Sequence, residues 1–508
     1  MTSPLRSRSN SLVALAPGLA ALVPGLALGL ALWSPEAQAS GISTARFGGE
    51  HGHPTTENAT AIYYNPGAIG LSSGTHVFVD GTMALRWVNY TRPASAVDTQ
   101  NNIDGAANIS LDNAPGANDG TAKLFNVAGA PFFGVTSDFG TDLFYAGASF
   151  SVPFGGGATW KKNEAFANSD LYPGAYDGQQ RWYAIDGTLR SMYLTGAIAI
   201  KIKAARLSIG VSGSAIYSSI DTIRARNADG TDNLVSGSSP DNFTLKEGRS
   251  WLNASGWQGG FAFGIAAEPV EDIFWFGASY TSQPNITGGM TLKGSLTNIF
   301  ASAPAPDVTQ IELTQSMPDI IRFGFRVRPI PKLELRVFAD YTRWSVFDKQ
   351  CVMIANVDGR KCEFDNTDKA LSDPGNFGAS GDNTVGVTQH LPRFWKDAGG
   401  VRVGAGYWFV PELETYVGVG YDSSAIRAET VDPVLFDMTK FSVSVGALWQ
   451  AHKHVAMGAT LTQLFYLPLD TKGTNVLGKF QSPTRQPSAD GVYKQWLTVG
   501  NLYLDISF

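Results

Sequence analysis

The chain has 508 residues, 44% of them hydrophobic, 16% charged, with a formal net charge of -6. That acidic balance excludes a partner bound by neutralising nucleic-acid phosphates, and a mean hydropathy of -0.05 is too polar for a bundle of membrane helices. Dividing the length by about 150 residues suggests three domains, but a large β-barrel exceeds that unit and would use the 56 glycines and 11% aromatics.

Arg6 and Arg8 precede a mostly apolar run from Leu12 to Trp33, and Ala37-Gln38-Ala39 supplies the small residues of a cleavage site. Residues 1–39 therefore read as a secretory signal, cut before Ser40; the alternative, an anchoring helix, is interrupted by Pro17 and Pro24. Nothing later approaches the ~18 consecutive apolar residues of a membrane helix. Residues 40–74 are small, polar and turn-rich, with a strong turn signal at Asn65-Pro66-Gly67. They fit either a disordered lead-in or a compact segment enclosed by the strands C-terminal to it.

From there strand-like segments come in pairs, near 76–90, 125–139, 142–153, 187–202, 206–221, 255–268, 272–292, 308–329, 333–347, 399–409, 413–424, 439–451, 454–466 and 493–508. In the hairpin 317–347, Ile321, Phe323, Phe325 and Val327 alternate with Arg322, Gly324, Arg326 and Arg328. After Pro329 and Pro331, Leu333, Leu335, Val337 and Ala339 alternate with Glu334, Arg336, Phe338 and Asp340. Period two makes these strands, with one greasy face and one charged face. Lipid outside with an ion-paired lumen inside fits, and so does a soluble sandwich with a salt-bridged surface. Loop lengths decide between them. Connections such as Phe139-Gly140-Thr141, Lys203-Ala204-Ala205 and Val410-Pro411-Glu412 are short, while the intervening ones are long and polar. Short turns at one end and long loops at the other is the layout of an outer-membrane barrel. At the C-terminus Leu502, Leu504, Ile506 and Phe508 share one face, and outer-membrane proteins in general end on such an aromatic, read by the barrel-assembly machinery. The expected fold is an all-β, 14-stranded antiparallel transmembrane barrel over 75–508.

Several residues could carry chemistry. Pro153, Gly155, Gly156 and Gly147 weaken the third strand, which fits an ordinary strand end or a gap in the wall. Trp160, Phe166, Tyr172, Tyr176 and Trp182 lie in one polar loop. They could capture an apolar ligand, each buried methylene gaining about 0.8 kcal/mol, or pack together as a cap. Arg322, Arg326, Arg336 and Arg402 face the lumen, and any of them could hold a carboxylate by two parallel hydrogen bonds; pairing with Glu334, Asp340 or acids of the 40–74 segment is the favoured reading. Cys351 and Cys362 share a loop and could bridge or remain two thiols. Gly473 to Phe480 nearly spells a phosphate loop, but Phe480 stands where Ser or Thr would hold magnesium. His51 and His53 read as polar loop rather than metal ligands. No cofactor or metal is expected, and no enzymatic activity.

The segment TAIYYNPGAIGL resembles the Asn-Pro-Ala region of the long-chain fatty acid (FadL-type) outer-membrane transporter family, which includes hydrocarbon transporters. LFYAGASFSVPFGGGATW resembles its third strand, and three further segments, 256–294, 317–347 and 394–424, follow the family pattern in order. Gly67 stands where the family usually has Ala. The resemblance implies that 40–74 is a hatch plugging the barrel, with Asn65-Pro66-Gly67 its motif. It also implies lateral release beside a kinked third strand, and uptake, as a monomer, of a long-chain fatty acid or other hydrophobic small molecule into outer-membrane lipid. A porin-like or ligand-binding barrel is the alternative, and an outer-membrane lipid hydrolase a more distant one.

Overall fold

The computed structural model describes residues 46–98, 116–236, 244–286, 288–300, 303–362, 367–377 and 384–508. The expected signal, 1–39, and the start of the expected hatch lie outside them. Fourteen strands form the wall: β1 Thr75–Arg92, β2 Gly120–Ser137, β3 Phe144–Gly157, β4 Asp186–Ile202, β5 Leu207–Arg226, β6 Gly248–Val270, β7 Phe274–Thr281, β8 Ile320–Ile330, β9 Leu333–Thr342, β10 Ala398–Val410, β11 Leu413–Asp422, β12 Lys440–His452, β13 Val455–Tyr466 and β14 Val492–Ser507. Each pairs antiparallel with the next, and β14 returns to β1, from His76↔Ser507 to Thr91↔Val492. Closure removes free edges except over one stretch between β2 and β3, as a lipid environment requires of most of the wall because water cannot satisfy the backbone there.

Alternation sets the two faces. On β8, Ile321, Phe323 and Phe325 are 47%, 50% and 40% exposed, whereas Arg322 and Arg326 between them are each 7% exposed. The same greasy outward face recurs in Val417 and Val419 of β11 and in Val443 and Val445 of β12. Outward aromatics cluster near both ends: on β12, Phe441 lies toward the loops and Trp449 toward the turns. Eight residues at about 3.3 Å each put them roughly 26 Å apart along the strand, the span of an apolar band. Among the described residues no helix is long and apolar enough to cross a membrane.

The turns are short at one end, down to Pro331-Lys332 between β8 and β9, and the loops long at the other. In the loop-end half the sheet grows outward. Strands Gly289–Phe300, Ala303–Ser316, Lys349–Ile354 and Val387–Pro392 extend from the start of β6 beyond the wall. The expected unbroken strands 272–292, 308–329 and 333–347 are each interrupted here. Pro284, Pro318 and the left-handed Asn285 (φ 55) and Gly288 (φ 88) break the ladders, since proline has no donor to give. Cys351, on one of these outer strands, is disulfide-bonded to Cys362.

Candidate functional site in the lumen

The lumen has two unlike halves. Toward the turns it is occupied by residues 46–74, which meet inward side chains from around the whole wall, Phe132 of β2, Tyr145 of β3 and Ala197 of β4 among them. The helical turn Ala61–Tyr64 ends at Asn65, whose Oδ1 accepts from Gly67 N at 3.0 Å. Its Nδ2 donates to Pro54 O at 2.7 Å and to Ile265 O of β6 at 2.9 Å. This motif sits in a notch of wall glycines. A Cβ on Gly264 would fall 1.9 Å from Asn65 Oδ1, one on Gly210 2.4 Å from Pro66 O, and one on Gly277 2.2 Å from Pro54 O. The notch also accounts for Gly67, because an alanine methyl there would lie 2.6 Å from Gly264 O.

Around that seat most of the charges are paired. Glu334 accepts from Arg336 Nε and Arg328 Nη2, both at 2.8 Å, and lies 3.5 Å from Arg326. Arg336 also pairs with Glu414, and Arg326 with Glu57 of the N-terminal segment. His51 bridges Glu414 Oε2 at 3.0 Å and the Tyr503 hydroxyl at 2.6 Å. Arg402 reaches Asp422 at 3.4 Å. Three of the four arginines singled out as headgroup contacts are therefore committed to carboxylates. Arg322 is the exception: it donates to Thr281 Oγ1 at 3.0 Å and the Tyr63 hydroxyl at 3.2 Å, with its guanidinium 4.9 Å from the Tyr63 ring centre.

Toward the loops the lining turns apolar. Val88, Tyr90, Leu124, Leu252, Leu313, Trp344, Phe347, Trp395, Phe436 and Leu497 belong to one buried cluster. It borders a cavity of about 70 Å³ walled by Leu189, Ile220, Leu252, Leu313 and Leu435, with Arg224, Gln389 and Gln486 on its polar side. Above it His390, on the outer strands, is pushed down to about 3 by burial, with Lys349 adding to the effect. In the loop after β1, burial beside the Asp232 carboxylate raises Asp98 to about 6.

β3 separates the four residues expected at a gap. Gly147 is paired on both sides, to Thr136 and Ala197, and a Cβ there would lie 2.9 Å from Ile62 Cδ1; it makes room for the N-terminal segment and is not at a gap. Beyond Phe132↔Ser151 the β2–β3 ladder stops. Pro153 falls in a register shift against β4, and Gly155 and Gly156 pair with β4 alone. Backbone contact with β2 resumes at the isolated Leu124–Trp160 bridge, next to a hydrogen bond from Asn126 Nδ2 to Gly157 O at 2.9 Å. Between these points β2 and β3 share no ladder, while β3 stays paired with β4 from Phe154 to Gly157.

The expected exposed aromatic patch is only partly formed. Trp160 and Trp182 are buried, 3% and 1% exposed, and Trp182 Nε1 donates to Asn118 Oδ1 at 2.9 Å, so both act as cap packing. Phe166, Tyr172 and Tyr176 are half-buried, and Leu171 is exposed. Arg224 lies beyond 221, where the sequence pattern places the end of β5. Carrying the alternation three residues further brings Arg224 onto the inward face with Ile216, Ser218 and Ile220.

A family model described as outer membrane protein transport protein (OMPP1/FadL/TodX) matches residues 20–483. Among solved structures, a FadL homologue from Pseudomonas aeruginosa superposes with a TM-score of 0.67 at 16% identity, over 92% of this chain and 100% of that one. The toluene transporter TbuX of Ralstonia pickettii gives 0.56 at 14% identity, over 92% and 98%. The toluene transporter TodX of Pseudomonas putida gives 0.55 at 14% identity, over 89% and 94%. At these identities the structures establish the fold alone, and no curated protein matches. The family match spans most of the chain and its barrel is that of the solved relatives: the chain belongs to the OMPP1/FadL/TodX family of outer-membrane transport proteins.

Proposed function

We propose that the protein carries long-chain fatty acids or similar hydrophobic compounds passively across the outer membrane. In this reading residues 1–39 are removed on export, 40–74 act as a hatch and 75–508 as the barrel. Ligand reaches the loop-end lumen past the half-buried Phe166, Tyr172 and Tyr176 and settles against the apolar cluster. It leaves sideways where β2 and β3 share no ladder. The observation that carries the reading is the adjacency of an apolar cavity and an interrupted wall, since Gly156 and Ala158 line that cavity and belong to the departing end of β3 and its continuation. A cavity of about 70 Å³ is smaller than the ~150 Å³ that accepts benzene, so transport requires the hatch or the loops to shift.

The relatives' names include both a fatty-acid-type homologue and toluene transporters, and either class would use an apolar lumen. Arg322, left without a carboxylate, is the candidate headgroup contact at the lower end. The test is uptake of labelled oleate by cells with the wild-type chain, an Asn65→Ala variant, or neither. Uptake is expected to fall in the deletion and to be altered in the variant; equal uptake with and without the protein defeats the fatty-acid assignment.

A further inference from the structure

The upper cavity is amphipathic, and its polar side holds two guanidiniums, those of Arg224 and Arg393. Arg224 reaches it from the loop end of β5, donating through Nη1 to Gln486 Oε1 at 3.0 Å and through Nη2 to Gln389 Oε1 at 2.8 Å. Both partners are neutral. The one acid among the lining residues, Asp432, is taken by Arg393 at 2.6 Å, so among the described residues Arg224 makes no ion pair. Gln389 is fixed in turn by donating to Ser250 Oγ at 3.1 Å. A guanidinium has five N–H donors in a rigid fork, and two amide oxygens leave part of that fork unused next to leucines. Such a charge is stabilised by an anion with two oxygens, whereas a bare hydrocarbon in the same space would desolvate it without recompense.

Resting on the transporter reading above, we infer that Arg224, flanked by Gln389 and Gln486, is a specificity-determining headgroup contact that favours apolar-tailed carboxylates over neutral molecules of the same length. The cavity is too small for a whole long chain, and its Gly156 and Ala158 side borders the unladdered stretch of β3. With the carboxylate at Arg224, the tail is the part that reaches the wall gap first. Arg322, Arg326, Arg336 and Arg402 lie below, in the half occupied by residues 46–74, outside this cavity.

Binding of dodecanoate and of dodecan-1-ol to the purified, refolded full chain in micelles tests this. In R224Q, dodecanoate affinity is expected to fall about 10- to 100-fold, the worth of a hydrogen-bonded charge contact, with dodecan-1-ol changed less than about twofold. R224K, which keeps the charge without the fork, should fall in between, and it serves if R224Q does not fold. Equal losses for acid and alcohol, or an acid-specific loss in R322Q instead of R224Q, overturn the assignment. If wild type binds both probes and R224Q changes neither, the headgroup assignment alone fails; if wild type binds neither, the transporter reading fails and takes it along.

Discussion

The turn-end and loop-end halves of the lumen are lined by the same strands yet obey opposite rules. Along β1 the inward residues run from Asp80 and Thr82 to Ala84, Arg86, Val88 and Tyr90, with Arg86 held by the neutral Gln495 and stacked on Phe436. On β14 they run from Tyr503 and Asn501 to Val499 and Leu497. The lower half buries charges and pairs most of them, because an unpaired buried ion costs several kcal/mol. Residues 46–74 supply part of that matching through Glu57, His51 and the backbone N–H of Gly48, which donates to Asp80 at 2.5 Å. The upper half is lined mainly by hydrocarbon, with Arg86 and Arg224 held by neutral glutamines, so a molecule that is largely apolar fits it best. If the N-terminal segment shifts, water can replace its contacts in the charged half, while the apolar half gains from a greasy ligand. On the proposed function the two halves divide the work between a hatch that can be rehydrated and a chamber lined mainly by hydrocarbon.

The largest expected effect breaks the charged half. Arg336→Met leaves Glu334 and Glu414, 1% and 2% exposed, each short of a partner, and should cost about 3–5 kcal/mol of stability, read from guanidinium unfolding of the refolded barrel. A variant as stable as wild type would show that charge does not hold that half together. In the apolar half, Leu313→Ala removes a fully buried side chain that lines the cavity, at about 3 kcal/mol. The two variants should part on adding toluene: it should raise the melting temperature of the leucine variant more than that of wild type, by filling the enlarged cavity, and should do nothing for the arginine variant.

How much of this was legible in the sequence depends on the range of each interaction. The inward set Arg322, Arg326, Glu334 and Arg336 was readable because period two is local to a hairpin. Which arginines would be free was not readable, because the partners lie far off: Glu414 is 78 residues beyond Arg336, and Glu57 is 269 before Arg326. Two of the outer strands, Lys349–Ile354 and Val387–Pro392, escaped for a different reason: neither shows an alternating burial pattern, so the mark of a half-exposed strand is absent. Trp160 and Trp182 looked like a capture surface because their loop is polar, but they point inward under it.

A smaller effect sharpens the seat of the N-terminal segment. Asn65→Ala removes two donated bonds and one accepted bond, about 1–3 kcal/mol in all. The loss should be local, seen as faster amide exchange in 46–74 with the wall ladders still protected. Global melting at a lower temperature with no local change would place the motif in the barrel's core rather than in a separable plug.

The smallest effect asks whether the loop-end half depends on neutrality as the other depends on charge. His390 is 1% exposed, shares a hydrogen bond with Thr484 Oγ1 at 3.1 Å, and is depressed by burial to about 3 from the usual 6.5. A histidine held neutral in the fold but free to protonate when unfolded stabilises fully above about pH 6.5, and its contribution falls as acidification favours the unfolded chain, down toward pH 3. Between about pH 7 and pH 5.5 the loss is on the order of 1 kcal/mol, and it should show as weaker exchange protection of Lys349–Ile354 and Val387–Pro392. His390→Gln should flatten that dependence. If the acid-induced loosening persists in the glutamine variant, or is centred on the Glu334 cluster instead, the outer sheet owes nothing to an uncharged imidazole. The division of the lumen would then lie in packing and not in the treatment of charge.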